Sequence, residues 1–197
     1  LPKQLFIVTG FESSGSVFLA RIVSYVLGKC NKFGSWNGYG WNGEVGDDLV
    51  IIHRSMPYGR NPKNWLEELV EESKALKAYR TRYVICTRDL TISKLSRIIR
   101  FGGDFEEYTR DDESARVIFD NIMLNHEHYI FSFESATALK NSYYRSFYQW
   151  LEVPGDFTPP LFDANKPYIK SLWFSITLRR IRKSLSKFRR AVKAWFV

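Results

Sequence analysis

The segment QLFIVTGFESSGSVFLARIVSYVL, Gln4 to Leu27, constrains this chain more than any other: an apolar, β-branched run passes through a glycine and serine turn straight into a helical pattern. A strand of that kind belongs inside a sheet, with the helix that follows laid back over one face. The turn presents unpaired N–H groups and the positive end of a helix dipole, which together suit an anion. Gly10 and Gly15 permit close backbone approach, Ser13, Ser14 and Ser16 add hydroxyl donors, and Glu12 and Val17 flank the cradle.

The same alternation runs on. Leu49 to Ile52, Tyr83 to Cys86 and Tyr129 to Phe133 are short, nearly continuous apolar runs, as strands buried on both faces are. Helical spacing recurs at Ser16 to Leu27, Asn64 to Lys77, Thr91 to Ile99, Ser114 to His126 and Leu139 to Leu151. The expected fold is α/β, three layers with a mainly parallel sheet flanked by helices. Ligands in such sheets bind beyond the carboxyl ends of the strands. Three segments are expected there: the cradle, His53-Arg54-Ser55 and Thr87-Arg88-Asp89.

Several function classes are disfavoured. The spacing Gly10-x4-Gly15 begins like an ATP-binding P-loop, but Ser16 and Val17 stand where that loop needs a lysine and a metal-holding hydroxyl, which argues against γ-phosphate transfer from Mg-ATP. Cys30 and Cys86 have no zinc spacing and suggest a reducing compartment. His126-Glu127-His128 puts no pair of ligands four apart on a helix face, so no metal is expected. At 197 residues and 45% apolar content, one core is the default.

The formal net charge of +8 is concentrated at one end. Residues 164–197 hold ten of the 29 basic residues and none of the 21 acidic ones, so the rest carries 19 against 21, a net of −2. A nucleic-acid role is therefore not expected of the body. In the tail, Leu178, Ile181, Leu185, Phe188, Val192 and Trp195 recur at helical spacing among arginines and lysines. Such a basic amphipathic helix suits an anionic membrane surface, or docking on the body or on a second copy in a homo-oligomer. The boundary is set between residues 1–168 and 169–197. No membrane span or secretory leader is evident, and a cytoplasmic protein, peripheral at a membrane through its tail, is expected.

The loop Phe33 to Asp48 carries two Asn-Gly turn signals, and its Trp36, Tyr39 and Trp41 suit either stacking on an acceptor or ordinary hairpin packing. Gly102 to Asp112 reads as a polar connection or lid, with Glu107 facing an acceptor. Arg88 closes a strand run and Ser96 follows eight residues later, so that a planar fork and a hydroxyl can share one phosphate.

On these residues the chain resembles the sulfotransferases that use 3′-phosphoadenosine 5′-phosphosulfate. In that family an arginine after a core strand and a serine eight residues on hold the 3′-phosphate, and a Pro-Lys-Ser-Gly-Thr-Thr loop holds the 5′ side, where this chain has Glu12-Ser13-Ser14-Gly15-Ser16-Val17. Phe131-Ser132-Phe133-Glu134 and Trp150-Leu151-Glu152-Val153-Pro154 are similar to later family segments, so the resemblance covers about Gln4 to Tyr168. It implies a P-loop NTPase-like sulfotransferase fold, transfer of a sulfuryl group to an acceptor hydroxyl on a carbohydrate or glycolipid, and 3′,5′-adenosine bisphosphate as product. It implies no metal. Ile52-His53-Arg54-Ser55-Met56-Pro57 is similar to the segment carrying the family's histidine base, which makes His53 the candidate base, with Glu12 and Glu107 as carboxylate alternatives. Ser13 stands in the place of the family's cradle lysine. Arg54, and Lys166 in a basic loop, are the cations implied to compensate. A nucleotide kinase or a degenerate nucleotide-binding module are the alternatives.

Overall fold

The computed structural model describes residues 2–56, 76–160 and 163–169. Two units are distinguished, Leu1–Leu161 and Phe162–Val197. The expected helix at Asn64 to Lys77, apart from its last two residues, and the basic amphipathic tail helix lie outside the described residues.

The first unit is built on five strands: β1 (Gln4–Phe11), β2 (Gly40–Asn42), β3 (Leu49–Met56), β4 (Arg80–Thr87) and β5 (His128–Ser132). Their order in the sheet is β2-β3-β1-β4-β5. β1 pairs parallel with β3 and β4, β5 pairs parallel with β4, and only β2 runs antiparallel, at the β3 edge. Asn42-Gly43 opens the turn joining β2 to β3, as its residue types indicate.

The described helices are α1 (Ser16–Val26), α2 (Leu90–Phe101), α3 (Phe105–Asn125), α4 (Phe133–Leu139) and α5 (Asn141–Trp150), together with a short helical turn at residues 166–169 in the second unit. Strand alternation sorts the apolar side chains into two cores. Phe6 and Val8 of β1, Ile51 of β3 and Val84 of β4 meet Leu19, Ile22 and Val23 of α1 and Tyr144 and Phe147 of α5. Leu5, Ile7, Val50, Ile52 and Ile85 point the other way, onto Ala115, Phe119 and Ile122 of α3. A sheet covered on both faces explains why its strands read as continuous apolar runs.

The stretch Gly102 to Asp112, read as a polar connection or lid, is for the most part a helix start. Asp104 caps α3 by accepting from the backbone N–H groups of Glu106 and Glu107 at 2.9 and 2.8 Å, and the two glutamates sit in the first turn, where the helix dipole favours them. Gly102 and Gly103, both at φ 80°, form the short link from α2.

After β1 the sheet grows first to one side, toward β3, and then to the other, toward β4 and β5. The carboxyl end of β1 is thus the topological switch point, where such sheets bind ligands.

Candidate functional site

The chain leaves β1 through a tight turn in which Ser14 N–H donates to the Phe11 carbonyl at 2.9 Å and Ser13 adopts a left-handed φ of 65°. Gly15 follows at φ 99° as the N-cap of α1, and no side chain caps that helix. Its first-turn N–H groups are left for a ligand. Gly10 is required by contact: a Cβ there would lie 2.4 Å from the Cys86 carbonyl oxygen and 2.6 Å from Ser14 Oγ.

Above this turn opens a cleft of about 420 Å³, lined by Glu12, Ser13, Gly15, Ser16 and Val17 of the cradle, Tyr39, Ser55 at the end of β3, and Arg88, Ser96, Arg100 and Phe101 of the β4–α2 region. That volume is in the range of small-molecule sites. Gly10 and Ser14 are not in its lining; Ser14 is fully buried beneath the loop, because its side chain turns toward Gly10.

Arg88 lies across the ring of Phe133, 5.3 Å from its centroid, and its Nη1 donates to the Ser13 carbonyl at 2.9 Å. One arginine thereby ties the β4–α2 turn to the cradle. Ser96 and Arg100 are four apart on α2 and share the face turned to the cleft. Their neighbours on the same helix are consumed by structure: Arg97 is fully buried and pairs with Asp112 at 2.6 Å, while Lys94 donates to Thr109 Oγ1 at 2.9 Å.

His53 is placed differently from expectation. β3 continues three residues past it, so His53 is inside the strand, buried and absent from the cleft lining. Its hydrogen bond toward the cleft runs through Ser16, whose Oγ is 3.0 Å from His53 Nε2 and 3.3 Å from Ser55 Oγ. Burial, aided by the charge of Arg54, pulls the imidazole down to about 4, so the ring is neutral near pH 7. Arg54 follows the Ile52 and Met56 parity of the strand, which puts it on the opposite side of the sheet from His53 and Ser55, and its Nη1 donates to the His53 carbonyl at 3.2 Å. It is not in the cleft lining.

Of the three loop aromatics, the structure brings Tyr39 to the cleft, half exposed and edge-on to His53 with ring centroids 5.8 Å apart. Trp41 on β2 packs against the α3-side core and Trp36 against the α1-side core, as hairpin and loop aromatics do. Glu107 is in the first turn of α3 and outside the lining. Lys166 belongs to the second unit, in the helical turn at 166–169. Arg100 and Phe101 are lining residues that sequence spacing missed, because the helical pattern was expected to stop at Ile99.

Burial raises the Glu12 carboxyl above its ordinary range, an effect that nearby Arg97 and Arg100 oppose and Asp111 reinforces. Among the described residues no cluster of three or more potential metal ligands occurs, and no helix is long and apolar enough to cross a membrane. Comparison of the chain with protein-family models, with curated proteins and with solved structures returned no match.

Proposed function

We propose that the protein is a sulfotransferase of P-loop NTPase-like fold that takes a sulfuryl group from 3′-phosphoadenosine 5′-phosphosulfate. The observation that carries this reading is the convergence of two candidate phosphate grips on one cleft: the cradle residues Glu12, Ser13, Gly15, Ser16 and Val17 and the pair Arg88 and Ser96 line the same cavity, although they lie 71 or more positions apart in sequence. The open α1 N-terminus suits the 5′ side of the nucleotide, and the guanidinium and hydroxyl of Arg88 and Ser96 suit its 3′-phosphate.

In the transfer, an acceptor oxygen forms the new S–O bond while the bond from sulfur to the 5′-phosphate oxygen breaks, and the electron pair stays on the leaving phosphate. The acceptor proton goes to a base. Positioning and charge stabilisation carry most of such a reaction. Backbone N–H groups of the cradle and the Ser16 hydroxyl, held by His53, face the side where negative charge accumulates. Tyr39 and Phe101 offer aromatic faces at the cleft to an acceptor such as a sugar ring or a glycolipid head.

Binding tests this directly. Titration calorimetry should show 3′,5′-adenosine bisphosphate binding without magnesium; binding of Mg-ATP alone would replace the reading with a nucleotide kinase. A second reading, a nucleotide-binding module without catalysis, is favoured by the burial of His53 and by Ser13 in the lysine position. Bisphosphate binding without transfer of labelled sulfuryl to any of a panel of glycans and glycolipids would decide for it.

A further inference from the structure

The cleft of the proposed nucleotide site raises a charge problem. A nucleotide phosphorylated at both ends brings several negative charges, yet the cradle has serine where a lysine is expected, and Arg54 faces the other side of the sheet. Among the described residues, three charged side chains line the cavity: Glu12, Arg88 and Arg100. Arg88 is already committed to the Ser13 carbonyl and the Phe133 ring. Arg100 is exposed at the last turn of α2, in line with Ser96, and its guanidinium rests 5.0 Å from the centroid of the Phe101 ring. Among the described residues no carboxylate lies within ion-pair distance of Arg100, whereas Lys94 and Arg97 of the same helix both pair with Asp112.

We infer that Arg100 is the second anion-gripping guanidinium of this cleft, and that Glu12 serves as its counter-charge until an anion arrives. The inference rests on the cleft being an anion site, as proposed above, and names the residue that makes good the absent cradle lysine. Glu12 is on the cradle side of the cavity and Arg100 on the α2 side, so an incoming phosphate or sulfuryl oxygen enters between them. The arginine side chain is long, exposed and planar, which lets it swing onto such a ligand and form paired hydrogen bonds. The acid then loses its attraction to Arg100 and faces the ligand's like charge. Protonation relieves that repulsion, so anion binding takes up a proton at Glu12. The groups that set this balance are Arg97 and Arg100 on α2, Asp111 and Tyr108 on α3, and Arg88, which lines the same cleft.

The test is titration of 3′,5′-adenosine bisphosphate, and separately of inorganic pyrophosphate, into wild type, Arg100→Ala, Arg100→Lys and Glu12→Gln. Arg100→Ala should weaken both ligands by about ten- to a hundredfold, the range of a lost charge-assisted pair, with Arg100→Lys in between. Glu12→Gln should tighten both at pH 8, and the ratio of its affinity to that of wild type should fall toward one as the pH is lowered; the ratio cancels titration of the ligand's own phosphates. Thermal unfolding of each variant separates this from a purely structural role, since Arg100 as a mere balance for the helix dipole would move the midpoint and leave affinity alone. Unchanged affinity in Arg100→Ala, or weaker binding in Glu12→Gln, overturns the inference while bisphosphate binding by wild type upholds the nucleotide reading. If wild type binds pyrophosphate but not the bisphosphate, the nucleotide reading fails and the pyrophosphate series still decides on Arg100. Binding of neither overturns both.

Discussion

The two ends of β4 treat arginine in opposite ways. At the amino end, Arg82 is 1% exposed, sandwiched 4.1 Å from the Trp150 ring centroid and 5.2 Å from that of Phe6, paired with Glu127 at 2.8 Å, and bonded to the Trp150 carbonyl. Arg80 beside it pairs with Glu127 and Glu152 at 3.1 and 3.3 Å. At the carboxyl end, Arg88 and Arg100 line an open cleft in which, among the described residues, the one acid is Glu12. A buried cation surrounded by carboxylates and rings is part of the fold, and one that faces a cavity with unequal charge is available to a ligand. Burial alone does not make the distinction; the local balance of charge does.

The largest expected effect breaks the amino end. Arg82→Ala takes the buried partner from Glu127 and Glu152, which keep Arg80, and opens space between Phe6 and Trp150, so that lost packing dominates a cost of about 4 kcal/mol in denaturant unfolding. Affinity for 3′,5′-adenosine bisphosphate, measured on the folded fraction, should not change. A loss of affinity would mean that the two ends are not separable.

The next effect belongs to pH. His53 titrates at about 4 in the folded chain and near 6.5 when unfolded, so as pH falls the unfolded state takes the proton first. Stability from this residue is fully present above 6.5 and is lost as the pH drops toward 4, by up to about 3 kcal/mol. His53→Gln should flatten that part of the stability profile relative to wild type. An identical slope in both proteins would show that the ring is not held neutral. The same burial argues that His53 orients the Ser16 hydroxyl, because its hydrogen bond toward the cleft goes to that residue.

Arg88→Ala sharpens the carboxyl end. Removing the fork should weaken bisphosphate binding by about 2 kcal/mol in calorimetry. Some destabilisation will accompany it, since the Ser13 carbonyl and the Phe133 ring lose a partner. Full affinity in this variant would take the 3′-phosphate away from the β4–α2 region.

Much of this arrangement is legible from residue order. The strand runs stand out because both sheet faces are covered, and Gly10, Gly15, Arg88 and Ser96 stand out because glycines at a strand-to-helix turn, and a guanidinium with a nearby hydroxyl, are residue types that suit an anion. Element ends were the weak point, and the site is sensitive to them. One more half-turn of α2 than the apolar spacing predicts brings Arg100 and Phe101 to the cleft, and the extension of β3 four residues past Ile52, to Met56, withdraws His53 from it. The α3 start carried its own signal in Asp104 followed by Glu106 and Glu107, an acid cap with acids in the first turn, overlooked because the stretch is so polar. Trp36 and Trp41 illustrate a different limit: aromatic composition does not say what a ring packs on, and here both are half-buried against the cores.

The smallest effect compares the two helix starts beside the cleft. α1 begins on Gly15 with no side-chain cap, and α2 begins on Asp89, whose carboxylate accepts from Ile92 N–H at 2.9 Å. The first helix start therefore offers backbone donors to a ligand, and the second closes its own donors and offers the side chains of its inner face instead. Asp89→Ala should cost about 1 kcal/mol of stability, the usual worth of such a cap, and leave bisphosphate affinity within twofold of wild type. If affinity instead rose, the uncapped α2 start would be competing for the anion, and the division between a backbone grip on α1 and a side-chain grip on α2 would have to be abandoned.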